Sequence, residues 1–568
     1  MSVFIGYPSF MAYQMMKGKK GNNDGFPSIP GIVARYSASG LTNEQMKENP
    51  VWVDKTGNGH DLQMKNFAWS GMSGVGGYVQ DFNYFRNNAT VDKVRIDEQN
   101  SNSIKVTILT TGIYNAIYIP KNVYQFNKPY FIKISSEGYN EGDPSWLFYA
   151  PSTSTATTVK VPLNPNGITE IPAIKEDDFL AVYLNVGGKV GSFTVEQLPI
   201  YPGALVFDGV DDYGTCDNFP IPIKEKGYTV VALRKWLTPE DKTNNEVLVA
   251  NLTGEVWNAP NLGAFGCEIK YNNSDPKVVK ALSFGRESKI NINENDLLFY
   301  QTSNSYNGVN LASGIGNGLG GSFLTVGSGG KISLRANAAI WELIILDHDA
   351  TEEELTKIKN YFVKTYPGLF PDQAWTVTGK TNEDEDRATI ANITGNGNDL
   401  VLSNFGFAEG SGYNEEGQYA GYLVTDGVDD RITSSGFQMG KDFTIVGDWK
   451  FIGNKLSGTG LVKLSSFYIY NTIIGLDLYI NSWSVTNSFD GIKSINAACS
   501  DGRAYDRNWN EILANTGNVV GSGGILEVSS SRGRFDRIAF KNLAIYPRIL
   551  SKEDCIKAYN YLQTLKAK

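Results

Sequence analysis

The residues with the most capacity for chemistry come in two short acidic runs. "DGVDD" places Asp208, Asp211 and Asp212 close together, and the same letters return with Asp426, Asp429 and Asp430. Three neighbouring carboxylates offer what a hard cation such as calcium requires, several oxygen donors at one point. Their spacing is not that of an EF-hand loop, and a short turn does not easily aim three side chains at one ion. The same letters also read as a β-turn, in which Asp-Gly opens the reversal and the acids cap backbone N–H groups. Calcium at these six residues and a structural turn are the two readings. No other cofactor is expected.

Catalysis has little else to draw on. The chain has 2 histidines, His60 and His348, and a Ser-His-Asp or metal-imidazole site would have to use one of them. No G-x-S-x-G elbow occurs. A glycosidase needs only two carboxylates, yet among 60 acidic residues no pair stands out. The chain is therefore expected not to be an enzyme. Cys216, Cys267, Cys499 and Cys555 are widely spaced and form no CxxC, which fits reduced, buried thiols rather than a zinc site or a disulfide framework.

Sugar recognition rests on aromatic rings stacked on the apolar face of a pyranose. Trp257 in "TGEVWNAPNLG" and Trp509 in "GRAYDRNWNE" lie in polar, turn-rich surroundings, and Trp146 in "GDPSWLFYA" opens a strand. These three are the candidates for carbohydrate contact, set against the plainer reading of loop anchors. Trp236, Trp341 and Trp449 fall in strand-like contexts and read as core. A net charge of −9 gives no basic surface for phosphate backbones, so nucleic acid is not an expected partner.

The elements that position these residues are set by an internal repeat. "TGNGHDL" (Thr56 to Leu62) returns as "TGNGNDL" (Thr394 to Leu400), where His60 is replaced by Asn398. "QMKNFAWSGMSG" follows the first and "VLSNFGFAEGSG" the second. "LVFDGVDDYGT" returns as "LVTDGVDDRIT", "YTVVALRKW" as "FTIVGDWKF", and "AIWELIILDHDATEEELTKIKNYF" as "IAFKNLAIYPRILSKEDCIKAYNYL". Four landmarks in one order define a duplicated domain. The first copy is longer by about 120 residues between its first two landmarks, room for a small inserted domain. The divisions are residues 1–29 as an N-terminal peptide and tether, 30–82 plus 203–368 as the first copy, 83–202 as the insertion, 369–374 as a linker and 375–568 as the second copy.

Most landmarks are rich in β-branched and aromatic residues, and "DG", "NG" and "GSGG" turns punctuate them. The fold class is all-β. Each copy closes with a short helix: Thr351-x-x-Glu354 is a capping box, and Ser551-x-x-Asp554 repeats it. The insertion has a strand pattern of its own in "SIKVTILTT", "YFIKISSE", "TTVKVPL", "FLAVYLNVG" and "SFTVEQL", and alternation in "TTVKVPL" and "SFTVEQL" makes it a small β-sandwich.

The order "TGNG(H/N)DL", "(F/T)DGVDD", "(Y/F)T(V/I)V" and "IYPRILSKEDCIKAYNYL" resembles LamG-like, concanavalin A-like jelly rolls, which implies two curved antiparallel sheets packed face to face. The stretch from "GIVARYSASGLTNEQMK" through "TGNGHDLQMKNFAWSGMSG" resembles structural proteins of tailed phages of gut Bacteroidales, including the crAss-like group. That resemblance implies a non-enzymatic virion protein, a head or tail decoration or fibre. It would be made in the host cytoplasm, and would contact other virion proteins and host surface polysaccharide, with a homo-oligomer as the expected state. The alternatives are a secreted or cell-surface carbohydrate-binding protein and a glycan-depolymerising tailspike.

The start of the chain bears on that choice. Lys17, Lys19 and Lys20 follow its apolar run, whereas a secretory signal carries its positive charge before it. Gly6, Pro8 and Gln14 interrupt the run, which is too short to span a bilayer, so no membrane attachment is expected. Phe4, Ile5, Tyr7, Phe10, Met11 and Tyr13 crowd apolar surface ahead of a flexible "KGKKGNNDG" tether. They read either as an anchor into a neighbouring virion protein or as an extra strand of the chain's own sheet.

Overall fold

The repeated landmarks fold into repeated sheets. The computed structural model describes residues 24–567 apart from short stretches, the longest being 138–145, 150–158, 172–180, 239–244, 253–262, 271–276, 313–321, 453–458 and 514–522. In the first copy one antiparallel sheet runs, in spatial order, Gly74–Val75, Leu205–Asp208, Asn337–Leu346, Thr229–Trp236, Leu298–Thr302, Ser305–Tyr306 and Val309–Asn310, with Ile32–Ser37 also paired to Asn337–Leu346. The other runs Val51–Trp52, Leu62–Lys65, Tyr213–Cys216, Leu324–Val326, Glu246–Leu252, Gly263–Lys270, Val278–Ser283 and Arg286–Asn291.

The second copy repeats both orders strand for strand. Its first sheet runs Gly412–Asn414, Tyr422–Val424, Ile538–Tyr546, Thr444–Phe451, Ile495–Cys499, Arg503–Asp506 and Glu511–Leu513, with Gln373–Thr376 joined to Ile538–Tyr546. Its second runs Thr389–Ile390, Leu400–Ser403, Arg431–Ser434, Leu526–Val528, Thr459–Leu464, Phe467–Asn471, Gly475–Ile480 and Trp483–Asp490. Even an irregularity recurs, between Leu233 and Arg234 and between Asp448 and Trp449.

Each pair of sheets encloses a core fed by strand alternation. Leu62 and Met64 point inward while Gln63 and Lys65 are exposed, and Leu400 and Leu402 repeat this. Tyr36, Phe207, Val230 and Leu343 of one sheet share the first core with Trp52, Leu248, Phe265 and Val326 of the other. Trp375, Leu423, Ile445 and Phe540 likewise meet Ile390, Leu400, Ile432 and Val528. Each such side chain contributes roughly 1.5–3 kcal/mol of burial. Trp236, Trp341 and Trp449 are buried, as their strand contexts predict.

Among the described residues there are three α-helices: α1 (Asn43–Glu48), α2 (Glu352–Thr365) and α3 (Lys552–Leu562). The sequence predicts α2 and α3 with their caps. Glu354 N–H donates to Thr351 Oγ1 while Thr351 N–H donates back to the Glu354 carboxylate at 2.8 Å. Asp554 N–H donates to Ser551 Oγ. Helix α1 was not predicted, although Thr42 caps it by accepting from Gln45 N–H and Met46 is buried.

The insertion is a sandwich of two five-stranded sheets. One runs Val159–Pro162, Trp146–Tyr149, Ala181–Asn185, Ala116–Pro120 and Arg86–Asn87, and the other Ile168–Ile171, Tyr130–Glu137, Gly191–Gln197, Ser103–Ile108 and Val94–Gln99. Its start moves from 83 to Tyr78, because Val79, Phe82 and Phe85 belong to its core with Ile104, Ile117 and Phe193. Its two ends meet. Gly76 N–H donates to Ala204 C=O at 2.8 Å, and Gln197 accepts from Val79 and Gln80 N–H while donating to Gln80 C=O.

The chain divides into two units, residues 1–77 with 203–365, and 78–202 with 366–568. The insertion therefore belongs with the second copy rather than the copy that it interrupts. The expected linker at 369–374 is also revised. Leu369 is buried in a 3-10 turn, Tyr546 donates its hydroxyl to Gly368 C=O at 2.9 Å, and Gln373 already pairs in the sheet.

Candidate functional site

The two acidic runs form the same turn with the same partners. In each, one oxygen from every acid lies within 4.8 Å of the others, so three carboxylates do converge. Asp208 ends a strand and its carboxylate accepts Val210 N–H at 2.8 Å, with Gly209 at φ +75° providing the reversal. Asp212 is fully buried; one oxygen accepts Asp208 N–H at 3.0 Å and the other the Ser73 hydroxyl at 2.9 Å. In the second copy Asp430 accepts Asp426 N–H at 2.7 Å and the Ser411 hydroxyl at 3.0 Å, and Asp426 accepts Val428 N–H.

Ser73 and Ser411 lie in the hairpins that follow the repeated phrase, and each also accepts a backbone N–H, from Ala68 and Gly406. Asn66 and Asn404 donate to the carbonyls of Asp211 and Asp429. The run thus latches a hairpin to a strand end. These four residues were not singled out by their sequence, though they are among the letters shared by "NFAWSGMSG" and "NFGFAEGSG". Burial and the neighbouring Asp208 charge push the Asp212 carboxyl up to about 7; burial pushes Asp430 up to about 6. Both oxygens of each buried acid already accept from protein donors, so the turn accounts for its own geometry.

The repeated phrase is a second staple. Asp54 accepts from Arg35 N–H, Thr56 N–H and the Thr56 hydroxyl, and its own N–H donates to Asp61. Asn392 takes the same place, accepting from Ala374 and Thr394 and donating its N–H to Asp399 at 2.8 Å. Asn58 and Asn396 donate back to the first strand or its approach, at Val33 and Asp372 C=O. Tyr36 donates its hydroxyl to His60 C=O, where Trp375 Nε1 donates to Asn398 C=O. The phrase recurs because each sandwich needs it to fix its first strand.

Neither histidine is set up for catalysis. The His60 ring faces Val33 C=O at 3.0 Å inside that staple. His348 lies between Asp347 and the capping Glu354; although burial opposes it, the hydrogen bonds its ring donates to both carboxylates raise its pKa.

The tryptophan candidates separate. Trp509 is wholly buried, with a left-handed φ of +59°, and its ring meets Tyr559 edge-on at 5.6 Å. It is a core anchor and presents no face to a sugar. Its loop does carry a contact: Arg507 donates through Nε and Nη2 to Glu170 of the insertion at 3.0 and 2.7 Å, beside a Phe131–Tyr559 ring contact. Trp146 lies on strand Trp146–Tyr149, its side chain outside the described residues. Trp257 lies outside them too, as do Phe4, Ile5, Tyr7, Phe10, Met11 and Tyr13.

No protein-family model matches the chain, and no curated protein matches it. Solved structures similar to it include Trypanosoma rangeli sialidase, at 9% identity and a TM-score of 0.26, covering 87% of this chain and 94% of that one. Others are the binding domain of Paraclostridial Mosquitocidal Protein 1 (15%, 0.22, 34% and 52%) and the botulinum neurotoxin serotype D binding domain (12%, 0.24, 61% and 84%). A first match, to a sialidase mutant displaying trans-sialidase activity, spans about half of each chain at 12% identity and a TM-score of 0.25. Similarity at this level assigns no activity. No helix among the described residues is long and apolar enough to cross a membrane.

Proposed function

We propose that the chain is a non-enzymatic structural and binding protein of a phage virion, displayed on head or tail and contacting other virion proteins and host surface glycans. The observation that carries the non-enzymatic part is where the reactive side chains are spent. Asp212, Asp430 and Asp54 accept hydrogen bonds within the duplicated framework, and both histidines donate to oxygens beside them. Loops carried by a rigid scaffold are where recognition is built. The exposed Val210 and Val428 at the tips of the two acidic turns are available for contact with partners. The virion assignment rests on the sequence resemblance to LamG-like proteins of tailed phages. In this reading the N-terminal aromatic peptide anchors the chain, and several copies assemble together.

Mass spectrometry of particles purified from an infected culture tests the assignment. The chain is expected among the stoichiometric components, and its confinement to the unassembled fraction would refute the proposal. Incubation with host capsule is expected to release no new reducing ends; release would make the chain a depolymerising tailspike.

A further inference from the structure

The second sandwich carries polar groups where the first is mostly apolar. Leu423, Trp449 and Phe540 point into its core, so by alternation Tyr422, Asp448, Lys450 and Lys541 lie on the outer face of the same sheet. Gln563, just past α3, joins them. The matched registers put Ala204, Leu233, Lys235, Trp341 and Val363 at these positions in the first copy. Only the lysine at 450 is repeated, so the framework does not require the other four polar side chains. In the second copy they form one network. Lys450 Nζ donates to the Tyr422 hydroxyl at 2.7 Å, and that hydroxyl donates to Asp448 at 2.9 Å. Lys541 Nζ donates to Gln563 Oε1 at 2.9 Å, and Gln563 Nε2 donates to the same carboxylate at 3.3 Å. Both ammoniums also face the Tyr422 ring, 4.4 and 5.8 Å from its centre.

Among the described residues neither lysine has a direct ion pair with a carboxylate. Buried Asp448 reaches both only through Tyr422 and Gln563, so two partly exposed ammoniums share one carboxylate. Arg507 and Glu170 pair with each other. Burial lowers the Lys450 pKa; Asp448 and Glu170 oppose that shift, while Arg507 and Lys541 add to it. Two like charges held beside one ring repel each other, and an anion between them relieves the repulsion. We propose that Lys450 and Lys541 form a binding site for an anionic oxygen group of a polysaccharide, a carboxylate or a sulfate. The site rests on the glycan-binding part of the proposed function and names its ligand class. Each ammonium donates to one oxygen of the group, and Tyr422 and Gln563 hold the two lysine heads in place through Asp448.

The test titrates the full chain by calorimetry with polygalacturonate, dextran sulfate, neutral dextran and host capsule. At least one polyanion is expected to bind and dextran not to, and the tighter polyanion identifies the group. Lys450→Met and Lys541→Met, which keep the apolar stems, should each weaken that binding roughly tenfold or more. Lys541→Arg, which keeps the charge, should retain it. Exposed Lys289 of the first copy is the control for unspecific attraction, and Lys289→Met should change nothing. Unfolding midpoints show that each variant folds. Polyanion binding that survives both lysine-to-methionine changes, or falls equally in Lys289→Met, would overturn the site, and binding of capsule by those same variants would leave the glycan reading standing. No binding of any polysaccharide by the native chain would overturn both.

Discussion

The Arg335 guanidinium sits over the Tyr213 ring at 4.2 Å, and the second copy makes the same contact with the partners exchanged, Arg431 over Phe535 at 5.2 Å. Tyr213 and Arg431 both follow "DGVDD", and Arg335 and Phe535 occupy the same place ahead of the long central strand. The framework thus specifies a cation over a ring beside each acidic turn, not which strand supplies it. In the first copy Asp211 and Asp212 also attract Arg335.

The exchange can be transplanted. Tyr213→Arg alone sets two guanidiniums together and should destabilise the first sandwich by about 1 kcal/mol or more, whereas adding Arg335→Phe should recover part of the loss. Chemical denaturation of the two singles and the double measures the coupling. Strict additivity would show that the contact is incidental.

The latch reading of the acidic turns separates from the calcium reading. Ser73→Ala and Ser411→Ala each leave a buried carboxylate oxygen without its hydroxyl donor and should cost about 1–3 kcal/mol. If the turns are purely structural, millimolar calcium should leave the unfolding midpoint of the native chain unchanged, and so should a chelator. A calcium-dependent rise that vanishes in Asp211→Asn with Asp429→Asn would establish the ion site instead.

Stability should fall as pH rises across the same turns. An unfolded aspartate titrates near about 3.9, but folded Asp212 is raised to about 7 and Asp430 to about 6. Between those limits the native state binds more protons than the unfolded state. Their contribution is full below about 4 and is lost as pH climbs through 6 to 7. His348, also raised, acts in the same direction, with its contribution full below about 6.5 and lost above its folded value. Urea midpoints from pH 4 to 8 report the slope, and Asp212→Asn should flatten it. An unchanged slope in that variant would assign the pH dependence elsewhere.

The framework was legible because it was written twice. The all-β class, the closing helices and the insertion follow from landmarks and from period-two alternation such as Leu62, Met64 and Leu400, Leu402. The site was less legible because the same polar letters serve ligand and backbone alike. "DGVDD" gave three acids but not their acceptor roles, which depend on Ser73 and Ser411, distant in sequence from the turns. Trp509 misled for the same reason. In "DRNWN", Asp506 accepts from Asn508 and Asn510 N–H, so a polar loop folds inward and buries its ring. In the first copy the matching hairpin turns on Asn307 and Gly308, both at positive φ. The longer second loop is what reaches the insertion.

That loop gives the last prediction. Trp509 should behave as a core residue: Trp509→Ala should cost about 3–5 kcal/mol, and host polysaccharide should leave the quenching of its fluorescence unaltered. Arg507→Ala should instead act on the insertion. Because Arg507 is half exposed, its ion pair with Glu170 should contribute no more than about 1 kcal/mol to global stability. Losing it should still loosen the packing of residues 78–202 against the second sandwich, since the fork on Glu170 acts beside the Phe131–Tyr559 contact. Hydrogen exchange read at strands Tyr130–Glu137 and Ile168–Ile171 should then quicken in Arg507→Ala and in Glu170→Gln alike. Combining the two should add little, because either change alone removes the same contact. Full protection in both variants would mean that the ring contact holds the insertion without the ion pair.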